Sequence, residues 1–122
     1  MKAIILSAIE NEIQSLDTEY ELCLTGVGKV NATFSALKAI REKKPDLIIN
    51  FGTAGSLKKE ISGLVDCKFF IQRDMDSRPL GVDLGETPFE IDPPKVIEIP
   101  SHTINSINMN LTCASGDSFV QS

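Results

Sequence analysis

Three glycine-containing segments, Gly26-Val27-Gly28, Gly52-Thr53-Ala54-Gly55 and Ser115-Gly116-Asp117, each follow a run of apolar or β-branched residues. Glycine lets backbone amides approach a ligand closely, and in open α/β sheets the binding crevice lies outside the carboxyl ends of the strands. One such turn would read as an ordinary tight turn, whereas three at three strand ends predict a shared small-molecule pocket. The first turn is not a dinucleotide fingerprint, because Asn31 stands where the third glycine belongs and no acidic residue closes the next strand. Arg73-Asp74-Met75-Asp76 sets two carboxylates at i and i+2, oxygen ligands of the type Mg²⁺ or Ca²⁺ would take, but no further acid clusters there and no calcium-loop spacing follows. The expected role is a loop brace, with Asp74 and Asp76 accepting backbone amides and pairing with Arg73 or Arg78. Cys23, Cys67 and Cys113 are odd in number, far apart and accompanied by one histidine, His102, which fits neither a disulfide framework nor a zinc site. No metal is expected, and the thiols read as reduced core residues of a cytoplasmic protein.

The elements that must position these residues follow from hydrophobic period. Lys2 to Ala8 is a continuous apolar run around Ile4-Ile5-Leu6, the pattern of a strand buried on both faces. Glu10 to Leu16 reads as a short helical turn and Tyr20 to Leu24 as a second strand. From Val30 the period changes: Val30, Phe34, Leu37 and Ile40 recur at helical spacing with Lys38, Arg41, Glu42 and Lys43 on the other side, predicting an amphipathic helix stopped by Pro45. Asp46 to Asn50, Cys67 to Gln72, Lys95 to Ile99 and Asn110 to Ala114 complete the strands, and Arg73 to Pro94, rich in Asp, Gly and Pro, has no regular period. Strand, glycine turn, helix, strand, glycine turn predicts an α/β protein with a mixed, largely parallel sheet, and 122 residues predict one domain, 1–122. With 12 basic and 17 acidic residues, net charge −5, no basic surface suits nucleic acid or an anionic membrane. No apolar run approaches the roughly 20 residues of a membrane helix.

Taken together, the segments resemble the nucleoside phosphorylase and nucleosidase superfamily, most closely the methylthioadenosine/S-adenosylhomocysteine nucleosidases. The matching pieces are Ile9-Glu10-Asn11-Glu12-Ile13, Thr25-Gly26-Val27-Gly28-Lys29-Val30-Asn31-Ala32, Pro45 to Leu57, Arg73-Asp74-Met75-Asp76 and Ser115-Gly116-Asp117-Ser118-Phe119-Val120, in family order. The resemblance implies a three-layer α/β/α fold of the nucleoside phosphorylase type, incomplete at its C-terminal end, no cofactor, and a purine nucleoside as substrate. It implies that Glu12 orients and activates an attacking water, that the Thr53-Ala54-Gly55 turn lines ribose and base, that Phe119 stacks on the purine, and that the Val120 main chain meets the base edge. Leu80 and Pro88 fall where the family inserts apolar residues into a neighbouring subunit's pocket, which implies a homodimer.

The phosphorylase branch carries an arginine two residues before the glycine of the third-strand turn, and here that position is Asn50. A carboxylate at Glu12 can take a proton from water and would repel a phosphate dianion, so hydrolysis of the N-glycosidic bond is expected over phosphorolysis. The family's Met-Glu pair for the ribose hydroxyls and its Ser-Asp pair, which protonates the purine, have no counterpart in these 122 residues. Little turnover is therefore expected from this polypeptide by itself, and a non-catalytic nucleoside-binding or assembly protein stands as the alternative, with a nucleoside phosphorylase behind it.

Overall fold

The computed structural model describes residues 1–92 and 95–120. Its contacts divide the chain into two compact units, Met1–Gly55 and Ser56–Ser122.

In the first unit β1 (Ala3–Ser7) is the middle strand of three, running parallel to β2 (Glu21–Leu24) and β3 (Leu47–Asn50). All five β1 residues are buried, as the continuous apolar run predicts, and Ile4 is fully enclosed. The strands are pinned at their beginnings by Asp46, whose carboxylate accepts the Lys2 N–H at 2.7 Å while its own N–H donates to the Lys2 carbonyl at 2.7 Å. The helical turn after β1 is a 3₁₀ turn, Glu10–Glu12, shorter than the pattern suggests.

Helix α1 (Lys29–Lys43) connects β2 to β3. It ends where Lys44 turns left-handed (φ 47°) and Pro45 follows, since proline cannot continue the helical hydrogen bonding. Its packing corrects the amphipathic reading. The face laid on β1 is the small-residue face: Ala39 is buried against Ile4 and Leu6, with Ala36, Cys23 and Ile48 around them. Val30, Phe34, Leu37 and Ile40 are exposed, Val30 to 80%. Small residues bring the helix backbone close to a flat strand face, and the Ser35 hydroxyl fixes the approach by donating to the Thr25 carbonyl at 3.1 Å.

The second unit holds a mixed sheet in which β4 (Cys67–Gln72) pairs in parallel with β6 (Leu111–Ser115) and antiparallel with the two-residue β5 (Ile97–Glu98). Its entry is set by Asp66, whose Oδ1 accepts the N–H groups of Met109 (2.6 Å) and Asn110 (3.1 Å) while Oδ2 accepts the Asn105 side-chain amide (3.0 Å). Three hydrogen bonds to the charged form hold the Asp66 carboxyl below its ordinary value. Cys23, Cys67 and Cys113 are free thiols, half-buried rather than enclosed in the core. Next to Cys113 and Asp66, burial pushes the Cys67 thiol up.

Candidate functional site

Parallel strands deliver their carboxyl ends to one edge of the first unit. Thr25 and Gly26, after β2, donate their N–H groups to the carbonyls of Ser7 and Ala8 at 2.8 and 3.0 Å, and Phe51, after β3, donates to the Leu6 carbonyl at 2.9 Å. The 3₁₀ turn beginning at Glu10 then places the Glu12 side chain over the end of β3.

Four donors converge on the Glu12 carboxylate. Oε2 accepts the Thr53 N–H at 2.6 Å and the Thr53 hydroxyl at 2.9 Å; Oε1 accepts the Ser7 hydroxyl and the Ile9 N–H, both at 3.3 Å. The Oε2 contacts are short, as expected for hydrogen bonds to a charged acceptor, and they fix the group. Those on Oε1 are long, so this oxygen has acceptor capacity to offer another donor. Partial burial raises the Glu12 pKa, but the hydrogen bonds from the Thr53 hydroxyl, the Thr53 N–H, the Ile9 N–H and the Ser7 hydroxyl outweigh it and hold the carboxyl below the ordinary glutamate value. Glu12 is therefore an ionised, oriented acceptor at neutral pH.

A depressed carboxylate stabilises the fold at pH above its unfolded value and loses that contribution as pH falls through the folded value, below the ordinary glutamate range. Thr53→Val keeps the β-branched shape and the N–H donor but removes the hydroxyl. Carboxyl-carbon NMR should place the Glu12 midpoint below the ordinary glutamate range in the parent chain and higher in Thr53→Val. Equal midpoints would show that the hydroxyl contributes nothing to the acidity.

Sequence reasoning places Gly52 in a pocket-forming turn but gives it no role of its own. A Cβ there would lie 2.9 Å from Glu12 Oε2, so the carboxylate occupies the space a side chain would fill. At Gly55 a Cβ would meet nothing within 4 Å, and Ala54 and Gly55 are exposed. Among the residues of the turn, Thr53 is thus the one the structure joins to Glu12.

The remaining predicted residues belong to the second unit. Phe119 and Val120 follow β6, exposed to 97% and 67%. Leu80 closes a 3₁₀ turn, Arg78–Leu80, with its side chain exposed, and Pro88 is half-buried beside the fully exposed Phe89. The acidic segment after β4 is a brace, as expected, and of the two candidate arginines Arg78 forms the ion pair. Asp76 takes a bidentate ion pair from Arg78 (2.8 and 2.6 Å) and Asp74 accepts the Asp117 N–H at 2.9 Å, whereas Arg73 donates to the carbonyl and hydroxyl of Ser118.

Comparison with known proteins identifies the family. Residues 9–119 match the family model described as the phosphorylase superfamily. A 5′-methylthioadenosine/S-adenosylhomocysteine nucleosidase of Staphylococcus saprophyticus is 34% identical over 114 residues, covering 85% of this chain and 50% of that protein. One from Staphylococcus aureus is 34% identical over 119 residues, covering 87% and 50%. The chain thus spans about half the length of the curated relatives it matches. Among solved structures, the Neisseria meningitidis nucleosidase of the same name, in complex with methylthio-immucillin-A, superposes on all of this chain and 68% of its own with a TM-score of 0.77 at 25% identity. A Helicobacter pylori futalosine hydrolase mutant reaches the same TM-score at 22% identity, a likeness of fold.

Proposed function

The chain belongs to the phosphorylase superfamily, and we propose that it serves hydrolysis of the N-glycosidic bond of a purine nucleoside, methylthioadenosine, adenosylhomocysteine or a close relative. The observation that carries this reading is the Glu12 carboxylate, ionised and fixed by Thr53 at the carboxyl ends of parallel strands, with Oε1 loosely engaged. A water donating to Oε1 would be oriented with a lone pair toward an anomeric carbon; as the glycosidic bond breaks, its electron pair leaves with the purine, which takes a proton from solvent, the sugar gains oxocarbenium character, and the carboxylate takes the proton of the water that bonds to the anomeric carbon. Phosphate would meet the same negative charge, and Asn50 offers no cation to hold it. In this reading Thr53, Ala54 and Gly55 line the ribose and base, and Phe119 with Val120 supplies a stacking ring and main-chain groups for the purine.

The assay is adenine release from methylthioadenosine, with the sugar product identified. Free methylthioribose formed at the same rate with and without phosphate supports hydrolysis, and phosphate-dependent formation of the sugar 1-phosphate overturns it. A second reading is binding without turnover. Calorimetric binding of methylthioadenosine without adenine release would favour it.

We read residues 1–122 as one phosphorylase-type domain that forms a homodimer in the cytoplasm, where free thiols persist. Val30, Phe34 and Leu37 of the first unit, and Leu80, Phe89 and Ile91 of the second, are exposed apolar side chains, the residue type that association would cover. Leu80 and Pro88 are the residues we assign to the partner's pocket. Sedimentation at micromolar concentration should show a dimer, and Leu80→Glu should weaken it about tenfold, the loss of one apolar anchor. A parent chain that stays monomeric from micromolar to millimolar concentration contradicts this.

A further inference from the structure

We propose that Arg73 is a positioning residue that sets Phe119 and Val120 by clamping Ser118, an assignment that rests on the reading of Phe119 as a purine-stacking ring. Arg73 immediately follows β4, and its N–H extends the parallel ladder by donating to the Ser115 carbonyl at 3.0 Å, which fixes its backbone against the last residue of β6. Its guanidinium then reaches past Gly116 to Ser118, Nη2 donating to the carbonyl and Nη1 to the hydroxyl at 3.2 Å. Asp74 holds the same loop from the next position by accepting the Asp117 N–H at 2.9 Å. Two neighbouring residues of one strand end thus hold two neighbouring residues of the other, directly before Phe119.

Gly116 is what admits the guanidinium. A Cβ at this position would lie 2.7 Å from Arg73 Cζ and within 3.0 Å of both terminal nitrogens, closer than side-chain atoms approach one another. The planar fork of arginine can donate to a carbonyl and a hydroxyl of one residue at once, which the single ammonium of lysine does less well. Phe119 itself, 97% exposed, has little packing of its own to define its place, so its position depends on the backbone that carries it.

The clamp predicts effects that pass through Phe119 and that two unrelated changes share. Without ligand, amide exchange at 117–120 should quicken about tenfold or more in Arg73→Met, while amides paired between β4 and β6 keep their protection. Gly116→Ala, which expels the guanidinium while leaving arginine in place, should reproduce that pattern, and the double variant should be no worse than either alone. In calorimetry with methylthioadenosine, Arg73→Met should weaken binding about tenfold in the parent chain and hardly at all in a Phe119→Ala background, with Arg73→Lys between the extremes. Unchanged exchange in Arg73→Met, or an equal loss of affinity with and without Phe119, overturns the assignment. If the parent chain binds no methylthioadenosine yet the exchange effects appear, the purine reading has failed and the positioning role with it, although the clamp is real.

Discussion

In a version of the protein that carries the family's Met-Glu and Ser-Asp pairs, replacing Glu12 with Gln is expected to lower adenine release by about 10²–10⁴-fold, the range of an active-site proton acceptor, while leaving the fold and nucleoside binding nearly unchanged. The hydrogen-bond pattern around the side chain says why the two effects separate. Glutamine keeps one acceptor oxygen, which goes to the Thr53 N–H and hydroxyl, the shortest of the four contacts. Its amide nitrogen then takes the place of Oε1. There the Ser7 hydroxyl can turn to accept, and only the Ile9 N–H, already 3.3 Å away, loses a partner. Little stability is lost, but the polarity reverses at the atom toward which an attacking water would donate. Circular dichroism and calorimetry on the same preparation report fold and binding, and the pH profile of residual activity adds a further check. In the parent protein activity should fall as pH drops through the depressed Glu12 value, below the ordinary glutamate range, and this limb should vanish in the variant. Undiminished turnover in Glu12→Gln would remove the residue-level support for hydrolysis and leave the nucleoside-binding reading.

The strands were legible because continuous aliphatic, β-branched runs leave a clear trace, although only β1 is buried throughout and β3 is half-buried. Ile4-Ile5-Leu6 and Leu47-Ile48-Ile49 run without polar interruption, and the observed strands fall within one or two residues of the pattern. The ends of α1 were legible for the same kind of reason, a change of period at one end and Pro45 at the other. Which face of that helix meets the sheet was not. Period locates an apolar stripe but does not rank it against a stripe of small residues, and Ala36 and Ala39 win the sheet because they permit close approach to β1. Val30, Phe34 and Leu37 are left as exposed apolar surface.

At the site, family pattern pointed to Glu12, but its environment is a matter of three dimensions. Ser7 and Ile9 are local to Glu12, while Thr53 lies 41 residues away and reaches it only because β1 and β3 are parallel neighbours in register, Leu6 opposite Asn50. The arginine beside Asp74 likewise offers a nearby carboxylate in sequence, yet its backbone pairing with Ser115 points the side chain across the strand end to Ser118. Local proximity therefore offered Arg73 or Arg78 as the partner of these carboxylates, and Arg78 takes Asp76, while the contact of Arg73 with Ser118, 45 residues away, lay outside its reach.

Gly52→Ala should cost activity far more than stability. Gly52 does not occupy the left-handed region, so alanine fits its backbone, and the loss of unfolded-state freedom favours the fold by about 0.4–1 kcal/mol. The new methyl would sit 2.9 Å from Glu12 Oε2, and since that oxygen is the free end of a flexible side chain, the carboxylate moves rather than the strand. Moving it breaks both Thr53 contacts, returns the Glu12 pKa toward its ordinary value and shifts Oε1 away from the water position. A misplacement of about 1 Å can cost about 10²-fold in rate, which is the expected loss. Thermal melts and adenine-release rates on Gly52→Ala and its parent, both carrying the family's Met-Glu and Ser-Asp pairs, decide the matter. A loss of about 10²-fold in activity is the expected outcome, with a melt only modestly lowered because the entropic gain offsets part of the stability lost with the Glu12–Thr53 hydrogen bonds. Activity equal to the parent's would mean that the carboxylate's place against Thr53 is not what the reaction uses.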